Sequence, residues 1–70
     1  MLPLTSADKG VEHTIVKTGG DEKTRKHLET LGFVQGAKVS VVNDLDGNLI
    51  INVKDSRIAL DKKLAMKIFV

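Results

Sequence analysis

A chain of 70 residues without cysteine makes one small domain, expected over residues 1–70, that hides only about 60% of the surface it exposes when unfolded. Neither a disulfide nor a thiolate zinc site can supplement so thin a core. Eleven Lys and Arg interleave with nine Asp and Glu for a formal net charge of +2, the pattern of a solvated surface and a poor one for binding nucleic acid.

Pro3 sets an extended start, because the residue before a proline avoids helical geometry. Leu4-Thr-Ser-Ala-Asp-Lys-Gly10 reads as a turn or a single helical turn. Val11 to Thr18 is rich in β-branched residues and predicts a first strand, though neither of its faces is cleanly polar. Gly19-Gly20 breaks it, with Gly20 marking the turn. Asp21 is then a plausible N-cap for a helix over Asp21–Leu31, and Glu22 adds negative charge where the helix dipole favours it. Thr24, Leu28 and Leu31 line up at i, i+4 and i+7 as one narrow apolar stripe. So short a helix must lean on a sheet.

Gly32 follows the last stripe residue, where a helix ends by swinging one residue into left-handed geometry. Phe33 is placed to fold back over the last turn, and Gly36 closes a second tight turn, Phe33-Val-Gln-Gly36. A strand over Ala37–Asn43 comes next, with Val39 and Val41 facing one way and Ser40 and Val42 the other. Asp44-Leu-Asp-Gly47 signals a hairpin, with Gly47 at its tip. Asn48–Val53 returns with Leu49, Ile51 and Val53 on one side. Arg57–Leu60 predicts a fourth strand, Asp61–Met66 a tight helical turn capped by Asp61, and Lys67–Val70 a fifth strand with Ile68 and Val70 on one face. Five short strands in so few residues suggest a small mainly β barrel, since closure removes exposed edges.

The order Gly19-Gly20, Arg25, Leu28, Leu31-Gly32-Phe33, Gly36 and Val39-x-Val-Val42 resembles the FeoA family of ferrous-iron-transport proteins. There the signature runs Arg-x-Arg-Leu-x-x-Leu-Gly-Leu-x-Pro-Gly, followed by an alternating valine strand. The lead-in Leu4-x-x-Ala-x-x-Gly10 and the ending Ile58-Ala-Leu60 with Leu64-Ala65 are similar to that family's as well. Three departures stand out: Gln35 replaces the usual proline, His27 replaces the second arginine, and Ala7 replaces a larger apolar residue. The resemblance implies a five-stranded SH3-like barrel with a helix inserted after the first strand and a short helical turn before the last. It also implies a small cytoplasmic accessory of the FeoB-type permease, a membrane protein with a GTP-binding domain. A similar barrel ends some iron-dependent repressors, but this chain has no room for a separate DNA-binding domain.

The residues themselves offer little chemistry. His13 and His27 are the only imidazoles available as general bases, no cysteine can act as nucleophile, and Ser6, Ser40 and Ser56 have no nearby histidine, so no catalytic residue is expected. The two histidines, fourteen residues apart among scattered carboxylates, match no metal-ligand spacing. No cofactor is expected, and any divalent metal bound should be weak and adventitious. Gly20-Asp-Glu-Lys-Thr24 looks briefly like the end of a phosphate loop, but Glu22 stands where glycine must precede the lysine.

With no Trp or Tyr and only Phe33 and Phe69, the chain lacks the aromatic grooves that take proline-rich peptides or single-stranded RNA. No hydrophobic run exceeds three residues, against about 20 for a bilayer span. Met1-Leu-Pro-Leu-Thr5 lacks the marks of a secretory signal. Docking through a mixed apolar and basic surface remains, with Arg25, Lys26 and Phe33 around the helix end as the expected contacts. The competing readings are that Phe33 merely seals the barrel and that Arg25 pairs with Glu29 or Asp21. The alternatives in function are a metal-sensing domain of the same transport system and an RNA-binding barrel. An SH3-like edge strand offers one route by which two copies pair.

Overall fold

In the computed structural model, which describes residues 1–70, the single strand expected over Val11–Thr18 is two short pieces, β1 (His13–Thr14) and β2 (Lys17–Thr18). The chain changes partners between them. β1 pairs antiparallel with β3 (Lys38–Leu45), His13 lying opposite Val39, whereas β2 pairs with β6 (Ile68–Phe69), Lys17 lying opposite Phe69. The Ile15 amide donates to the Ala37 carbonyl at 2.9 Å, and the very next amide, that of Val16, donates to the Phe69 carbonyl at 2.7 Å. Ile15 is buried at this corner, while Val11 and Val16 are exposed.

The architecture is mainly β and SH3-like, with six strands in place of five because the first is bent across the corner. β1, β3, β4 (Asn48–Val53) and β5 (Ser56–Asp61) form one sheet in the order β1-β3-β4-β5, and β2 with β6 forms a second. Leu2 and Val70 exchange two backbone bonds of 2.8 Å each, so β6 is also flanked on its other side. The helix α1 (Glu22–Thr30) stands between β2 and β3, and α2 (Lys62–Ala65) precedes β6. The lead-in, expected as a turn or a single helical turn, is a 3-10 helix over Leu4–Ser6.

Asp21 starts α1 as expected, its carboxylate accepting from the Thr24 amide at 2.8 Å. The helix end is set by Gly32 at φ +104°. Its amide donates to the Glu29 carbonyl at 3.0 Å and the Phe33 amide to the Leu28 carbonyl at 2.9 Å. That pair of bonds is a Schellman motif, which satisfies two carbonyls the helix leaves unpartnered. The following turn lies one residue later than expected. It spans Val34–Ala37, closed by the Ala37 amide on the Val34 carbonyl at 3.0 Å, with Gly36 as its third residue.

The hairpin likewise tightens. β3 continues to Leu45, so the loop is only Asp46-Gly47, with φ of 51° and 81°. Two residues of positive φ make a type I′ turn, whose twist matches that of paired strands. Val42 is an extra residue in β3, since Val41 pairs with Ile51 and Asn43 with Ile50. This bulge shifts the alternation by one. It turns Leu45, which would otherwise share the inward face of Val39 and Val41, out to 54% exposure.

Twelve buried apolar residues form a continuous core drawn from every layer, including Leu4, Ile15, Leu28, Phe33, Ile51, Ala65 and Ile68. β4 shows why: Leu49, Ile51 and Val53 alternate inward between two neighbouring strands, the most shielded position a strand can hold.

Candidate functional site

The residues expected to meet a partner separate once placed. Phe33 is 1% exposed and packed in the core. It presents no surface for docking, because the Schellman motif folds it inward over Leu28. Arg25 and Lys26 are exposed on α1. Lys26 pairs with Glu22 at 3.3 Å one turn earlier, both side chains more than 70% exposed, and such a pair is worth little. The one other ion pair joins Lys62 to Asp44 at 2.9 Å. Arg25 therefore pairs with neither Glu29 nor Asp21, and its guanidinium is free.

The cationic surface reaches beyond α1. Asp21 at the helix start has its carboxyl held below the ordinary aspartate range, chiefly by the Thr24 amide, then by the Thr24 hydroxyl, with the charges of Lys67 and Arg25 adding to the effect. Lys67 comes here because β6 pairs with β2. Its side chain passes over Gly20, where a Cβ would lie 3.2 Å from the Lys67 Cδ. Lys17 on β2 places its Nζ 5.4 Å from the centroid of the Phe69 ring, within cation–π range. Neither Lys17 nor Lys67 was singled out in the sequence. No local signal marks them, since their positions depend on pairing between segments some fifty residues apart.

The two histidines stay separate in role. His13 Nε2 donates to the Asp8 carbonyl at 3.1 Å, and His27 is exposed in the last turn of α1. No three side chains from His, Asp and Glu converge as a metal site would require. A shallow groove of about 340 Å³ lies over β3 and β4, bordered by Glu12, Lys38, Ser40, Asn52 and Lys54. Ala37 and Val39 also line it, and the Lys38 Nζ that borders it already donates to the Thr14 hydroxyl at 2.6 Å. No helix is long and apolar enough to cross a membrane.

Comparison with known proteins places this geometry in context. The FeoA domain family model matches residues 2–70. The chain is 36% identical over 70 residues to a protein of Methanocaldococcus jannaschii named as an Fe(2+) transport protein A, covering all of this chain and 85% of that one. Among solved structures, the crystal structure of an iron uptake regulatory protein, FeoA, superposes with a TM-score of 0.86 at 30% identity, over 96% of this chain and 89% of that one. The zinc complex of FeoA from Stenotrophomonas maltophilia, described as a procaryotic SH3 domain protein, superposes with a TM-score of 0.84 over 100% and 89% of the two chains. Its 22% identity speaks to fold alone.

Proposed function

Because this chain belongs to the FeoA family, we propose that it is a small cytoplasmic accessory of ferrous-iron uptake that acts by docking on the cytoplasmic part of a FeoB-type permease. The observation that carries the reading is the family match over residues 2–70. Support for docking, as opposed to chemistry within the chain, comes from the free Arg25 guanidinium and the Lys67 ammonium, whose charges both act on Asp21 at the start of α1. Arginine is enriched at interface hot spots, and a free guanidinium can take a carboxylate from a partner without first breaking a bond within the chain.

Any effect on transport then follows from differential binding. A bound accessory shifts the permease only by the difference in its affinity for two permease conformations. The experiment is calorimetric titration of the permease's soluble GTP-binding domain with this chain, with and without nucleotide. Arg25→Glu is expected to weaken binding about tenfold or more, as truncating a hot spot does, while leaving the melting temperature unchanged. Absence of binding in every nucleotide state rejects the reading.

A further inference from the structure

β5 ends the four-stranded sheet, paired with β4 and with nothing on its other side. Its hairpin with β4 has a two-residue loop, Lys54-Asp55, and Val53 lies opposite Ser56. In such a hairpin the closing pair is hydrogen-bonded and the pairs then alternate. Ser56, Ile58 and Leu60 therefore direct their backbone groups at β4, whereas Arg57 and Ala59 direct theirs at the open edge; Asp61, the N-cap of α2, turns its carbonyl into that helix. No amide or carbonyl of Arg57 or Ala59 takes part in any bond outside the strand ladder.

We infer that this edge is a self-complementary interface through which two copies of the chain join by antiparallel pairing of β5 with β5, centred on Ala59. Three observations converge on a second copy as the occupant. The first is register: a two-fold axis at Ala59 sets Ala59 opposite itself, where the outward amide and carbonyl of each copy meet those of the other, and brings Arg57 opposite Asp61 at the end of the strand. The second is charge. Arg57 and Asp61 carry opposite signs. Asp61 caps α2 through Oδ1, which accepts from the Lys63 amide at 2.6 Å, and its other oxygen is left to meet a guanidinium. The two-fold therefore creates two identical cross-strand Arg–Asp pairs, where a like-charged arrangement would be destabilising.

The third is access. Arg57, Ala59 and Asp61 are all exposed, and Ile58 and Leu60 face inward. The central position carries only a methyl group, so nothing obstructs the approach of the second strand. Arg57 Nε already donates to Asn52 Oδ1 across the strand pair at 3.2 Å, which holds the side chain on the sheet's outer face. The contact is isologous, closing at two copies, and a single strand pair belongs to the small class of weak, transient interfaces, below about 1,200 Å².

The test is sedimentation velocity of the full chain between about 10 μM and about 1 mM, a span that resolves weak association, together with amide exchange of Arg57 and Ala59 over the same range. Reversible dimerisation is expected, with exchange at both amides slowing as concentration rises. Arg57→Glu, which sets like charges opposite each other twice, should weaken association about tenfold with an unchanged melting curve, and Arg57→Lys should retain most of it. The inference is overturned by a chain that stays monomeric at the highest concentration, or by an Arg57→Glu variant that dimerises as the parent does. Protection of Ala59 that appears only when the permease's soluble domain is added also overturns it, assigning the edge to a strand of that partner instead.

Discussion

The Phe33 amide and the Leu28 carbonyl are joined at 2.9 Å, and that bond brings two side chains no more than 1% exposed into one core. Gly32 makes the bond geometrically feasible. At φ +104° a residue bearing a Cβ is strained, even though the added atom would meet only ordinary contacts, the nearest being Val53 Cγ2 at 3.5 Å. Gly32→Ala should therefore cost about 1–2 kcal/mol from backbone strain alone, and Gly32→Val more. In a domain this small the melting temperature falls about 4–8 °C per kcal/mol. An unchanged melting curve for Gly32→Val would show that the helix end does not depend on this conformation.

The turn after it is open to improvement. Gln35 is the second residue of the Val34–Ala37 turn and Gly36, at φ +87°, the third. Proline favours the second position of such turns, and the Gln35 amide makes no backbone bond to lose. Gln35→Pro is expected to stabilise the protein by about 0.4–1 kcal/mol, mainly by restricting the unfolded chain. Urea denaturation reads this as a higher midpoint at unchanged slope.

Asp21 gives the fold a pH dependence of known sign. Its carboxyl is held below its ordinary value in the folded chain, first by the Thr24 amide. The charged form thus contributes stability that is fully present above the unfolded pKa, about 3.9, and is lost as the pH falls through the lower folded value. Asp21→Asn keeps a side-chain oxygen to cap the helix but no charge. The difference in melting temperature between parent and variant should be constant near neutrality and shrink below about pH 4. A difference that does not change with pH would show that the cap acts through hydrogen bonding alone.

Phe33 separates folding from docking. Truncating a buried phenylalanine to alanine costs about 3–5 kcal/mol, a large part of the stability of a small domain. Phe33→Leu should be less damaging and leave the chain folded at 25 °C. With the ring inside the core, that variant is expected to melt earlier yet bind the proposed permease domain with the parent's affinity once corrected for the folded fraction. A loss of affinity in fully folded Phe33→Leu would show that the ring does reach the partner.

Much of the fold was legible in the chain because its instructions are local. Asp21 caps a helix, Gly32 stops it and Asp46-Gly47 turns a hairpin through the dihedral preferences of single residues. Leu49, Ile51 and Val53 declare a buried face because side chains alternate along any strand. These features depend on a few neighbouring residues, so they stand in the sequence whatever the rest of the molecule does.

The tertiary structure decided what depends on distant partners. Val11–Thr18 carries the composition of one strand, but β3 claims its first half and β6 its second, so the chain bends at Ile15. The bulge at Val42 reverses the facing of Leu45, and nothing in the valine run announces it. Among the expected contacts, Arg25 and Lys26 stayed on the surface while Phe33 was drawn into the core. Lys67 joined the cations near Arg25 through a pairing across some fifty residues. Which backbone groups lack a partner is settled only when all strands have taken their places, and for that reason the open edge at Arg57 and Ala59 belongs to the fold and not to any motif.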